Sequence, residues 1–128
     1  MHNVLLLPYQ DKKVLPFSLT AADIGIVTLS QGAENISVPS KTYYTLAAGS
    51  AIFALAAKES ELGILVDTYK CGVVFDNSTP QNIANNILQL NQNRQELEQY
   101  KQNARKASFN FTPKNAKLYY DNICNQIK

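Results

Sequence analysis

Three side chains near the middle of the chain have types and spacing that suit ligand chemistry. Ser40, Lys41 and Tyr44 fall at the opening of a helix-prone stretch, SKTYYTLAA, directly after Pro39. Ser40 is a good N-cap, because its hydroxyl can accept from an otherwise orphaned N–H of the first turn. Lys41 then sits in that turn, where the helix dipole disfavours a cation. A cation at the positive end of a helix suggests that an anion arrives there, since free N–H groups and a lysine together bind phosphate well. Lys41 and Tyr44 are three apart and share one helical face. A ligand with a phosphate at the helix start and a sugar one turn along would meet Lys41 and then Tyr44. The plainer reading of the same residues is a capped surface helix with a solvated lysine.

Other loop residues offer weaker chemistry. Glu34 is the carboxylate of the preceding loop and is either solvated or an acceptor for ligand hydroxyls. Tyr9 and Gln10 follow an apolar run and either present a stacking face and an amide to a nucleobase or simply cover a sheet edge. Asp11, Lys12 and Lys13 read as a solvated charged loop. No glycine-rich phosphate fingerprint is present, of either the dinucleotide or the P-loop type. His2 is the single histidine and lies at a terminus, which argues against a Ser-His-Asp arrangement. Cys71 and Cys124 are far apart, form no metal spacing, and read as reduced core thiols. No metal and no cofactor are expected.

The elements that must position these residues follow from the apolar pattern. Short apolar runs at residues 3–7 (NVLLL), 24–29 (IGIVTL), 51–55 (AIFAL) and 72–75 (GVVF) suit strands buried on both faces. Helical patterns separate them. Pro16 opens a short helix over residues 14–22. The helix over residues 41–48 stops at Gly49 in the usual C′ role, with Tyr43, Leu46 and Ala47 toward the core. Leu62, Leu65, Val66 and Tyr69 mark the next helix. Thr79 and Pro80 are a cap and first-position pair for another, with Ile83, Ile87, Leu88 and Leu90 as its apolar stripe. Residues 93–108 form a polar helix that docks through Leu97, Tyr100 and Ala104. A last helix over residues 115–127 turns Ala116, Tyr119, Tyr120, Ile123 and Ile127 to one side.

Strands alternating with helices predict an α/β fold: an open, parallel, four-stranded sheet flanked by helices, an incomplete Rossmann-like domain with extra C-terminal helices. Residues 1–92 form the Rossmann-like portion and residues 93–128 a helical extension packed on it. Ligands of such sheets bind outside the carboxyl ends of the strands. Residues 8–13, 30–40 and 56–59 fall there, with the 76–79 turn flanking them.

Composition bounds the function. The chain has 128 residues, 45% hydrophobic and 17% charged, which fits one soluble domain. A net charge of +2 is too small to argue for nucleic acid. From residue 93 onward there are seven basic and three acidic residues, against five and seven before it. That excess reads as a solvated helical face or a weak attraction to anionic lipid. No signal peptide is read at the start, and no apolar run approaches the roughly 20 residues of a transmembrane helix.

The ordered series AADIGIVTL, VPSKTYYTLAAGSAIFAL and CGVVFDNSTPQNIANNIL resembles the C-terminal domain of retaining glycosyltransferases with the GT-B fold. It is most similar to the group-1 (family 4) enzymes that build bacterial capsule, O-antigen and exopolysaccharide chains. The resemblance implies a nucleotide diphosphate sugar as donor. It implies that Tyr9 and Gln10 line the base, that Pro39, Ser40 and Lys41 lie at the diphosphate, and that the ribose is held at the position of Tyr44, while Glu34 lies near the first position of the family's glutamate pattern but out of register with it. The family's Glu-x7-Glu pattern falls, aligned on Gly49, on Ile36 and Tyr44, so neither of its carboxylates is present. The N-terminal acceptor-binding domain and the opening β-α-β portion with its basic pair have no counterpart in this sequence. A cytoplasmic location, at most in peripheral contact with the inner face of the membrane, follows from the same likeness. Alternatives are a non-catalytic or degenerate module acting in binding or assembly, and an epimerase-like or response-regulator-like domain. The last two would need a glycine fingerprint or an acidic strand-end cluster.

Overall fold

The computed structural model describes residues 3–30, 32–33 and 37–126. Glu34 and Ile36 lie outside the described residues, as does the expected apolar contact of Ile127. The element order is α1 (Leu15–Thr20), β1 (Ile24–Thr28), α2 (Ser40–Ala48), β2 (Ala51–Leu55), α3 (Glu61–Tyr69), β3 (Gly72–Val74), α4 (Pro80–Gln92), α5 (Arg94–Ser108) and α6 (Pro113–Gln126).

The strands form one parallel sheet in the order β1-β2-β3. Ile24 pairs with Ala51 and Thr28 with Leu55, while Ile52 pairs with Gly72 and Ala54 with Val74. The central strand β2 is apolar throughout, and its first four residues are buried, as a strand covered on both faces requires. On one face Ile52 and Ala54 meet Val27, Leu46, Leu62 and Val66, with Ala104 and Ala107 of α5. On the other, Ala51 and Phe53 meet Phe75, Leu90 and Leu97. Phe53 and Phe75 tilt against each other with centroids 4.9 Å apart.

The expected fourth strand is absent. Residues 3–7 make no ladder, and Leu5 and Leu6 are 78% and 89% exposed. A strand needs a neighbour to bond its backbone, and among the described residues nothing lies beside this run. The sheet is therefore three-stranded among the described residues.

The helices are set by local chemistry. Ser60 caps α3 by accepting from the Gly63 N–H at 3.1 Å, and Thr79 caps α4 by accepting from Asn82 N–H at 3.3 Å, with Pro80 in the first turn. Gly49 ends α2 at φ +70°, the left-handed conformation expected of it. The cap of α2 differs from expectation. Pro39, extended at ψ 133°, takes the N-cap place, and Ser40 is already helical with no capping bond from its side chain. The buried face of α2 also differs. Thr42, Thr45 and Leu46 point inward, while Tyr43 and Ala47 stay exposed and Tyr43 rests on Phe111. Of the α4 stripe, Leu90 is buried and Ile83 partly so, whereas Ile87 and Leu88 face outward.

Helix α5 crosses under α2 and β2 and buries Leu97, Ala104 and Ala107. Several cations of the basic C-terminal stretch tie it down. Lys101 Nζ sits 2.8 Å from Asp23, Arg94 lies 3.5 Å from the same carboxylate, and Arg105 donates to the Ala47 carbonyl. Part of the local charge excess is thus a docking device. In α6 no described side chain is buried, and Cys124 is only half-buried, unlike Cys71, which is fully enclosed. Among the described residues, no helix is long and apolar enough to cross a membrane.

A candidate ligand crevice at the strand ends

Parallel pairing brings the carboxyl ends of all three strands to one side of the molecule. A crevice of about 340 Å³ opens there, lined by Leu29 after β1, Leu55 to Ala57 after β2, and Phe75 to Ser78 after β3, with Ile83 of α4 as a side wall. Its base is apolar and its rim polar, the usual character of a small-molecule site.

The rim is held by its own hydrogen bonds. Asp76 accepts the Lys58 N–H at 3.3 Å and the Asn77 side-chain amide at 2.8 Å, which joins the β3 turn to the loop after β2. Asn77 takes a left-handed conformation at φ 49°, which an asparagine tolerates in a tight turn. The loop after β2 is pinned from below by Gly63. A Cβ there would stand 2.5 Å from the Ala57 carbonyl oxygen and 2.6 Å from that of Lys58. Only glycine allows α3 to approach so closely. Ser60 strengthens the same turn, its hydroxyl donating to the Ala57 carbonyl at 2.6 Å.

Helix α2 leads from β1 back to β2, so its first turn lies toward the same end of the sheet. No side chain caps it. Lys41 is exposed, and Ser40 beside it is exposed as well. The first-turn amides and the Lys41 ammonium together present a positive pole to solvent.

The sequence-derived candidates divide accordingly. Pro39, Ser40 and Lys41 stand at the helix start on the strand-end side. Tyr44 is exposed and lines a separate apolar groove of about 260 Å³ between α1 and α2, with Leu15, Pro16, Leu19, Ala47 and Ala48. Tyr9 is 96% exposed, and the Gln10 side chain donates to the Pro8 carbonyl at 2.8 Å; neither lines the crevice. Asp76, Asn77 and Ser78 were the residues sequence reasoning treated as a flanking turn. Their signal was present, a DNS turn closing an apolar strand, but its place beside Ala57 depends on strand order.

A larger hollow of about 610 Å³ follows the outer side of β3, lined by Lys58, Ile64, Asp67, Lys70, Val73 and Tyr100 among others. Lys70 and Asp67 there already pair with each other at 2.8 Å. The hollow also lies off the strand ends, so the smaller crevice is the better ligand candidate.

The displaced ionisation equilibria lie elsewhere. The hydrogen bond from Lys101 holds the Asp23 carboxyl below its ordinary range and in turn raises Lys101. Asp23 directly precedes β1, at the amino end of the sheet, so this pair is a structural clamp. Burial pushes the Cys71 thiol up to about 11. Burial, then the hydrogen bond to Glu96, raises the Tyr100 phenol.

Comparison with known proteins adds one likeness. Over 61 residues the chain is 38% identical to "Probable glycosyltransferase WbjE" of Pseudomonas aeruginosa. The aligned stretch covers 48% of this chain and 14% of that protein, so the chain spans about a seventh of its relative. No protein-family profile matches the sequence, and no solved structure matches it.

Proposed function

We propose that the strand-end crevice and the first turn of α2 bind the nucleotide diphosphate of a sugar donor, as the C-terminal donor-binding portion of a retaining GT-B glycosyltransferase. The observation that carries this reading is the convergence, at one end of the sheet, of an uncapped helix start bearing Lys41 with a crevice whose rim holds Asp76 and Asn77. The likeness to a probable glycosyltransferase supports the same reading.

In this reading each residue has a chemical task. Lys41 and the first-turn amides of α2 take the diphosphate, because a helix start and a lysine both favour the anion. The apolar base, Leu29, Phe75 and Ile83, receives the flat face of the base or the ribose. Asp76 accepts from sugar hydroxyls, a bidentate acceptor that Tyr44 cannot replace. In the full reaction the sugar passes to a glycan or lipid-linked acceptor with retention. Charge developing on the leaving diphosphate needs more cations than Lys41 supplies, so turnover requires further basic groups, such as the basic pair of the family's opening β-α-β portion, together with a domain or chain that binds the acceptor.

Titration with uridine and guanosine diphosphate, followed by amide chemical shifts, tests the site. Weak, millimolar binding is expected, with shifts at Ser40, Lys41, Ala57, Asp76 and Asn77. Lys41→Ala is expected to weaken it by roughly five- to tenfold, the value of one charge-assisted contact. Shifts confined to other surfaces, or an unchanged affinity in Lys41→Ala, would count against the assignment.

A further inference from the structure

We propose that a second copy of this chain covers the β1 edge, its residues 4–7 adding as a strand beside Ile24–Thr28. The chain carries both halves of such a contact. One half is the open edge. The Ala51 N–H donates to the Asp23 carbonyl at 2.9 Å, and the Leu29 N–H to the Leu55 carbonyl at 3.1 Å. Backbone groups alternate along a strand, so residues 23 and 29 face β2 while Ile24, Ile26 and Thr28 turn theirs to the open side. Among the described residues nothing pairs with them. The side chain of Ile26, mid-strand, is 45% exposed.

The other half is the unpaired run. Val4, Leu5, Leu6 and Leu7 are apolar on both alternating faces, the composition of a strand buried on both sides, yet every one is exposed. Val14, Leu15 and Phe17, at the start of α1, are exposed as well. Exposed apolar surface on this scale marks an interaction site. The hydrogen bonds found for the tether, residues 8–14, are local, from Gln10 to Pro8, from Lys13 and Val14 to Asp11 and from Ser18 to Val14, and none of them joins it to the sheet. Fully extended, those residues reach roughly 20 Å, against about 10 Å for two strand spacings. Exchange between two copies therefore gives a two-fold arrangement in which the two added strands meet at the centre.

The opposite edge does not invite the same contact. Strand β3 has three residues and is flanked by Lys58, Asp67 and Lys70, and short edges with charges resist strand addition. Strand β1 has five residues and no charge.

Sedimentation of the full chain over micromolar concentrations tests the proposal, together with amide hydrogen exchange. A dimer is expected, with the amides of Ile24, Ile26 and Thr28 protected only as dimer forms. Leu6→Asp is expected to raise the dimer dissociation constant roughly 30-fold or more, the effect of losing one central apolar anchor. Leu6 is exposed in the single copy, so this change leaves the fold intact. A monomer at all concentrations, a dimer indifferent to Leu6→Asp, or a dimer whose β1 edge amides exchange freely would each overturn the proposal.

Discussion

Thr42 shows how much one atom can matter in this core. Its hydroxyl is fully buried, and among the described residues it has no hydrogen-bond partner. Thr45, one turn along, avoids that fate by donating to the Lys41 carbonyl at 2.9 Å. An unpaired buried hydroxyl keeps its desolvation cost, so Thr42→Val, of the same shape, is expected to stabilise the fold by about 1 kcal/mol. A shift of the urea midpoint upward checks this. Gly63 behaves oppositely. A methyl there meets two carbonyl oxygens of the loop that lines the crevice. Gly63→Ala is expected to cost about 1–3 kcal/mol through backbone displacement and to move the Ala57 and Lys58 amide signals. Unchanged stability and unchanged spectra would contradict the close approach.

At the scale of elements, α5 is the part whose placement tests best. Leu97, Ala104 and Ala107 bury it, and Asp23 anchors it through Lys101 and Arg94. The Asp23 carboxyl is held below its ordinary value, so its contribution is present above the unfolded value near pH 4 and fades as pH falls through the lowered native one. Lys101 is raised, so its contribution is present below the unfolded value near pH 10 and fades as pH rises through the native one. The pair is half-exposed and is worth about 0.5–1 kcal/mol. Asp23→Asn should lower the neutral-pH urea midpoint by that amount, and the gap to the parent protein should close at both extremes of pH. The helix was legible as polar with three docking residues. That its lysine would seek Asp23, 78 positions away, was not.

For the whole molecule, the two cysteines report on cooperativity. Cys71 is enclosed between α3 and the sheet, and burial pushes its thiol up to about 11, which keeps it protonated and unreactive near neutrality. Cys124, on α6, is half-buried. A thiol reagent is expected to modify Cys124 quickly in the native protein and Cys71 only at the rate of opening, with both reacting at once in denaturant. Rapid modification of Cys71 would mean that α3 and the sheet part without global unfolding. Reading both cysteines as core thiols was therefore right for one; the other lies half-buried on a helix with no fully buried side chain among its described residues.

Three strands, all six helix positions and the stop at Gly49 were set by the sequence itself, because apolar runs, proline and glycine act through the local backbone. Residues 3–7 carry the same local signal as β2 and still form no strand, since a strand exists only where a neighbour bonds it. The Ser40–Lys41 junction was visible for a related reason: a helix start and its charges are contiguous in the chain. The crevice was not. Leu29, Ala57 and Asp76 are far apart in sequence and meet only because three strands run parallel in the order β1-β2-β3. Tertiary structure also turned Tyr44 toward α1 instead of the strand ends. Local backbone chemistry fixed the elements; pairing order and packing, which join residues across long stretches of chain, decided which of them face a common site.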